Sequence, residues 1–390
     1  MFSYLLYVLA LGVIGTGLIQ KKKHRPKYKI IGFRDEVSIE ETEGILSNHG
    51  IKIKKHLPLA NACLCLVDEI SAGFKSLTAN DNIEFIEDDY IAMIQVIPQT
   101  ADSLKIKSQT IPWGISKIEA PKAWKHCQGE GIKVGIIDTG IDQRHPDLKA
   151  NIKVAHSVVE GTGADDDNGH GTHVAGTIAA LDNDIGVVGV APKAEIYSVK
   201  AFDNKGRGRV SDIIDALNWC IENKVHIINM SFGFSVNSQA LERAIREVHK
   251  HNIIMVAAAG NSGGKDTVLY PAKYPEVIAV AASDNKDKAA DFSSSGPEVN
   301  IIAPGVDISS TYINQEYRLL SGTSMACPHV VGACALLMSI SGADADNVKN
   351  AVLSTARDIG LPEETQGAGL VDVSAAVSNI KKTKGGFFYE

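Results

Sequence analysis

Residues 134–142 read VGIIDTGID, a valine and isoleucine run that stops at Asp138 and is followed by a glycine turn. A run without polar alternation suits a strand covered on both faces, as in a parallel sheet. The series begins at 133–137, and comparable runs follow at 195–200, 226–229, 253–258, 277–281 and 300–303. Segments with helical spacing lie between them, at 172–180, 210–223, 238–250 and 325–339. This alternation predicts an α/β domain whose mostly parallel sheet carries helices on both faces. In such sheets functional residues gather at the carboxyl ends of strands. Asp138, Ser231 and Asn261 each stand just past one.

The chain has 390 residues, which suits one large domain and one small one. Its 44% apolar and 22% charged content is that of a globular protein. A net charge of −7, with no basic stripe past residue 30, argues against a nucleic-acid partner. Cys63, Cys65, Cys127, Cys220, Cys327 and Cys334 show no repeated C-x-x-C, so they read as buried free thiols. Residues 4–19 are almost wholly apolar, the length of a signal-peptide core, and residues 1–20 are expected to direct export. The basic cluster at 21–25 lies downstream of this segment, which keeps a membrane anchor as the alternative. Several unpaired thiols also count against export.

Residues 27–94 predict a small α+β module with strands at 28–33, 51–57, 62–67 and 83–86 and helices at 38–48 and 69–77. Ser38 and Glu41 have capping-box spacing. The order β-α-β-β-α-β is ferredoxin-like. A polar, turn-rich linker follows at 95–108, then the large domain at 109–378 and a tail at 379–390.

Three strings carry the chemistry: 134–142, 168–176 (NGHGTHVAG) and 321–330 (SGTSMACPHV). They put Asp138 at a strand end, His170 in a glycine-flanked turn before a helix, and Ser324 at the start of another, with separations of 32 and 154 residues. A serine hydroxyl becomes a nucleophile when a base takes its proton, and a buried carboxylate orients that base. Gly322 lets the chain turn before the serine, and the helix start aims free N–H groups at developing negative charge. Pro328 is expected in the first turn of that helix, where a missing N–H costs little.

With the chain order Asp138, His170, Ser324, residues 109–372 resemble the subtilisin family of serine proteases. The resemblance implies a serine endopeptidase in which Ser324 forms an acyl-enzyme, His170 is the general base and Asp138 orients it. It makes Asn261, in 257–263 (AAAGNSG), an oxyanion donor beside the Ser324 N–H. Peptide would add as a strand between Gly206 and Gly208 on one side and Ser231, Phe232 and Gly233 on the other. The primary pocket would be walled by Ala258, Ala259 and Gly260 and floored by Leu269. Leu269 and Phe234 stand where relatives carry glycine, and the loop 262–267 is short. The expected pocket is therefore hydrophobic but shallow, favouring Leu, Met or Ala over Phe and Tyr. Arg207 and Arg209 flank the cleft as solvated charges.

The same resemblance implies calcium, held by the carbonyls of Leu181, Ile185 and Val187, the side chains of Asn183 and Asp147, and the Gln109 amide. Mixed carbonyl and carboxylate oxygens are what calcium takes. Because Gln109 follows the linker, the site is expected to be completed only after processing. A second ion near Ala272, Tyr274 and Val277, and a cis peptide at Tyr270-Pro271, are also implied. Residues 27–94 resemble the family's inhibitory propeptide, with 83–92 (IEFIEDDYIA) as its closing strand and a self-cleavage point within 95–108. The implied protein is an autoprocessed zymogen, monomeric, acting on proteins and peptides. Two other classes compete: a transition-metal centre at Asp165, Asp166, Asp167, His170 and His173, and a non-catalytic relative that binds peptide. The first leaves Ser324 and Asn261 unexplained, and His173 reads better as a packed structural histidine.

Overall fold

A computed structural model describes residues 26–97, 103–106, 108–341 and 344–384; the expected signal segment lies outside them. Seven strands form one wholly parallel sheet in the order Val299–Pro304, Val277–Ser283, Ile254–Ala258, Ile227–Met230, Lys133–Asp138, Glu195–Lys200, Ile152–Ser157. Successive side chains point to opposite faces of a strand, so one apolar run feeds two cores. Val134 and Ile136 pack on the face covered by helices His170–Ala179 and Thr323–Ser341. Ile137 packs on the other, against Val210–Glu222 and Gln239–Lys250. Asp138, Ser231 and Asn261 leave neighbouring strands at the same edge.

The serine-bearing helix begins at Thr323, so Pro328 lies inside it rather than in its first turn. The carbonyl that Pro328 cannot reach is that of Ser324. Ser231 Oγ donates to this oxygen instead, at 3.0 Å. The ring is tolerated because another element supplies the missing donor.

The module has the expected topology. Strands Lys27–Phe33, Lys52–Leu57, Ala62–Val67 and Ile83–Asp88 form an antiparallel sheet in which Lys27–Phe33 and Ala62–Val67 are central. Ser38 and Glu41 close the capping box of helix Ile39–Asn48. The second helix starts at Ala72 rather than 69, because the Ser71 hydroxyl caps it by accepting from the Phe74 N–H.

The module seats against the two helices on the far side of the large sheet. Glu87 accepts from Ser238 Oγ at 2.5 Å and from the N–H groups of Gln239 and Ala240. Asp89 accepts from the Ser211 N–H at 3.0 Å and its hydroxyl at 2.9 Å. Helix Val210–Glu222 has no side-chain cap of its own, so the module provides it. Lys55 pairs with Asp212 and Asp215 on that helix, and Arg243 reaches the carbonyls of Phe33 and Ala60 from the other.

The expected closing strand 83–92 is two strands. The chain breaks at Asp89 and Tyr90 where Asp89 turns to its cap, and Ile91–Ile94 enters a different sheet between Arg207–Arg209 and Phe232–Gly233. At the other end, helix Val373–Lys384 runs through the expected tail boundary. Val373, Ala376, Val377 and Ile380 continue a buried helical stripe past residue 378.

Candidate active site

Asp138 and His170 meet as their elements predict, strand end against helix start, with His170 Nδ1 2.7 Å from Asp138 Oδ1. A carboxylate only accepts, so Nδ1 carries the proton and Nε2 is left with its lone pair. His170 Nε2 is buried and without a hydrogen-bond partner. Asp138, His170 and Ser324 are 1%, 2% and 0% exposed. The Thr139 N–H also donates to Asp138 Oδ1, at 2.7 Å.

Ser324 Oγ donates to Ser231 O at 2.7 Å and accepts from the Gln95 N–H at 3.0 Å. Its hydroxyl is thus engaged by the Ser231 carbonyl and by the segment laid across it. The Ser324 N–H points at the Gln95 carbonyl oxygen, 3.3 Å away. Asn261 Oδ1 accepts from the Thr323 N–H and hydroxyl, both at 2.9 Å, which turns Nδ2 outward; that nitrogen is buried and without a partner. Gly322 has φ +154°, and a Cβ there would stand 2.4 Å from Gln95 O and 3.1 Å from Asn261 Nδ2. Glycine keeps this point free for an oxygen between two donors.

The two glycine-bearing segments pair with Ile91–Ile94. Ala92 pairs with Gly208, Ile94 with Phe232 and Met93 with Gly233, and the Ile94 N–H donates to Gly206 O at 3.1 Å. Ala258 and Gly260 lead to Asn261, and Leu269 fills the space beside them. A Cβ on Gly233 or on Gly260 would meet Leu269 atoms at 2.9 Å from either side. Phe234 is buried in the core, its ring 6.4 Å from that of Tyr270. Arg207 is tied to Asp203, and Arg209 reaches Asp89 and the Tyr28 ring rather than standing free. The Tyr270-Pro271 bond is cis.

The carbonyl-rich loop 181–187 curls around Asp147. Asp147 Oδ2 accepts from the Val187 N–H and the Tyr317 hydroxyl, while Oδ1 is buried without a partner. Burial pushes this carboxyl up to about 6. Asn183 Oδ1 accepts from the Ile185 N–H, and Leu181 is bonded to Asp147 O. Gln109 is already docked: Oε1 accepts from the N–H groups of Asn183 and Asp184 at 2.6 and 2.8 Å, and its own N–H reaches Asp184 O. Gln109 is thus seated on the loop with the chain uncut, its amide oxygen turned to the loop N–H groups.

Sequence reasoning missed the support around the pair. Asp166 Oδ1 accepts from Thr139 Oγ1 and the N–H groups of Asn168 and Gly169, and Oδ2 from Thr172. Buried Lys200 holds the Thr139 carbonyl and Asp167. Asp165 binds Gln143. His173 is buried between the carbonyls of Ile308 and Arg318. These side chains brace the backbone, and among the described residues no three His, Cys, Asp or Glu groups gather as a metal cluster. A signal was present, since three consecutive aspartates before a catalytic-type histidine demand partners. All six cysteines are buried, and among the described residues no disulfide joins them.

A parallel α/β sheet that joins Asp138 to His170 at one edge and sets the Ser231 carbonyl against Ser324 at the same edge is one of the frameworks that carry serine-peptidase chemistry. The chain belongs to the subtilase family, whose model matches residues 129–369. It is 38% identical over 382 residues to Subtilisin E of Bacillus subtilis, covering 95% of this chain and 96% of that protein. Subtilisin DY of Bacillus licheniformis is 46% identical over 275 residues, 69% of this chain and 99% of its own. The Thermostable alkaline protease of Halalkalibacterium halodurans is 39% identical over 356 residues, 91% of this chain and 92% of its own. The protein is a serine endopeptidase acting on protein substrates.

Proposed function

We propose that Ser324 attacks the substrate carbonyl, with His170 Nε2 taking its proton and Asp138 holding the imidazole tautomer. The observation that carries this is the 2.7 Å Asp138–His170 bond, with Nε2 left unpartnered and a main chain laid over Ser324. Attack requires the Ser324 hydroxyl to turn from Ser231 O toward Nε2. The developing oxyanion is received by the Ser324 N–H and Asn261 Nδ2, which are already aimed and need little reorganisation. Substrate adds as a strand between 206–208 and 231–233, where main-chain hydrogen bonds give affinity without reading sequence. Leu269 shortens the primary pocket, so Leu, Met or Ala is preferred over Phe or Tyr.

Residues 27–94 act as the inhibitory propeptide of a zymogen, their last strand filling the cleft until the chain cuts itself within 95–108. The catalytic domain is then 109–378, with the terminal helix continuing it. Calcium sits against Asp147, the Asn183 side chain and the carbonyls of Leu181, Ile185 and Val187. Gln109 joins when its amide oxygen leaves the loop N–H groups. The unpartnered Asp147 Oδ1 supports this, and the ion would hold the loop and the chain end together. The enzyme works as a monomer, exported by way of residues 1–20. A serine-directed phosphonate labelling Ser324, with activity resistant to zinc chelators, supports the assignment; labelling elsewhere with activity intact defeats it. Matched Leu and Phe peptides test the pocket, and a clear Phe preference sinks that part.

A further inference from the structure

We infer that the bond between Gln95 and Val96 is the one this chain cuts in itself. The inference rests on the serine-peptidase reading above and assigns its first substrate. Gln95 is held on both sides of its carbonyl. Its N–H lies 3.3 Å from Ser231 O and 3.0 Å from Ser324 Oγ, and its oxygen lies 3.3 Å from the Ser324 N–H, beside the free Asn261 Nδ2. Before it, Ile91–Ile94 is clamped between two strands. Beyond it, the Ile97 N–H donates to Ser321 O at 2.8 Å, so the chain passes straight over the serine. Among the described residues no other carbonyl is bonded to the Ser324 N–H.

Beyond Ile97 the described chain is bonded elsewhere. The Leu104 N–H donates to Tyr317 O, and Gln109 and Thr110 are bonded to Asp184 and Gly186. Gln95 also suits a pocket closed by Leu269. Its side chain folds back, Nε2 donating to Met93 O at 3.0 Å, and asks for no depth. A tethered substrate needs little side-chain affinity, because its effective concentration is already high.

In the step, Ser324 Oγ bonds to the Gln95 carbonyl carbon and its proton passes to His170 Nε2. The negative charge on the oxygen lies between the Ser324 N–H and Asn261 Nδ2. Collapse breaks the Gln95–Val96 C–N bond, and His170 returns the proton to the Val96 nitrogen. Water then hydrolyses the ester, leaving a Gln95 carboxylate and a free Ser324. The new chain starts at Val96, 13 residues before Gln109, and is anchored at Thr110.

The test follows the first cut in the full chain made as Asn261→Ala, whose slowed turnover preserves the first products. Mass spectrometry should find an amino-terminal fragment ending at Gln95 and a body beginning at Val96. In ¹⁸O-water the Gln95 carboxyl should gain one label, and the rate should not depend on protein concentration. Val96→Pro, whose ring crowds the leaving nitrogen, should lose that fragment. A Ser324-dependent fragment ending at any other residue overturns the inference and leaves the peptidase reading standing. Processing that persists in Ser324→Ala at the wild-type rate overturns the peptidase reading itself.

Discussion

Leu269 stands between Gly233 and Gly260, touching the space that a Cβ on either would take. In the proposed pocket this one side chain takes the volume an aromatic ring would need. Leu269→Gly should therefore raise kcat/KM for a Phe peptide relative to its Leu counterpart by about 10-fold or more, the scale of a few methylenes in a pocket. An unchanged ratio in paired peptide assays would mean the pocket is shaped elsewhere. At Asn261 the expected effect falls on kcat. Asn261→Ala should lower it about 10²–10³-fold, the loss known for the equivalent donor in subtilisin itself, with KM little altered. Steady-state kinetics that show a change in KM alone would contradict it. The residues of the triad and the pocket were legible because each sits in a motif of fixed neighbours. Thr323 was not, since its role is to accept from the Gly260 N–H and donate to Asn261, contacts that span 63 and 62 residues of the chain. For the cut, sequence reasoning reached only the span 95–108; the fold singles out Gln95 by laying it on Ser324.

Asp89 caps a helix in another part of the chain, and Glu87 adds to the N-terminus of its neighbour. Each has its carboxyl raised by burial, yet each is met by N–H and hydroxyl donors. Removing such a cap costs about 1 kcal/mol. Asp89→Ala in the uncut Ser324→Ala chain should lower stability by about that amount in urea unfolding, because helix Val210–Glu222 has no substitute cap. No shift in the midpoint would show that the contact is idle. The central strands were readable as short valine- and isoleucine-rich runs bounded by turn residues, the composition that burial on both faces selects. Strand Ile152–Ser157 was not, because it lies at the sheet edge, where Lys153, Val154 and His156 are exposed and Ile152, Ala155 and Ser157 only half-buried. The hairpin of Ile308–Tyr312 and Glu316–Leu320 escaped for a similar reason: its second strand is half-buried throughout and shows no alternation. The break at Asp89 depended on a partner far away in sequence.

Among the described residues, burial pushes His145, His173, His226 and His329 down, His173 and His329 furthest. His173 is pushed down to about 3, by desolvation and then by the nearby His170, and His329 to about 4 by desolvation. In the unfolded chain both would take a proton below about 6.5. Their contribution is therefore intact above that pH and is lost as pH falls toward 4, at up to about 1.4 kcal/mol per pH unit for each. Urea midpoints of the Ser324→Ala chain should fall between pH 7 and 5, and a flat profile would contradict this. Calcium should act on the same uncut chain, since Gln109 is already seated at loop 181–187. At a hundredfold excess over its Kd the ion should add about 2.7 kcal/mol, read as a rise in Tm that a chelator reverses. Protection confined to the processed enzyme would oppose the docking described here.

The most direct test of Ser324 as the nucleophile is the turnover of a Leu-containing peptide by the processed enzyme and by Ser324→Ala. The variant body is released from its module by an added protease. A fall in kcat of about 10⁶, the size seen when subtilisin itself loses its serine, is the predicted result. Turnover within tenfold of the wild type would contradict the assignment of Asp138, His170 and Ser324 together.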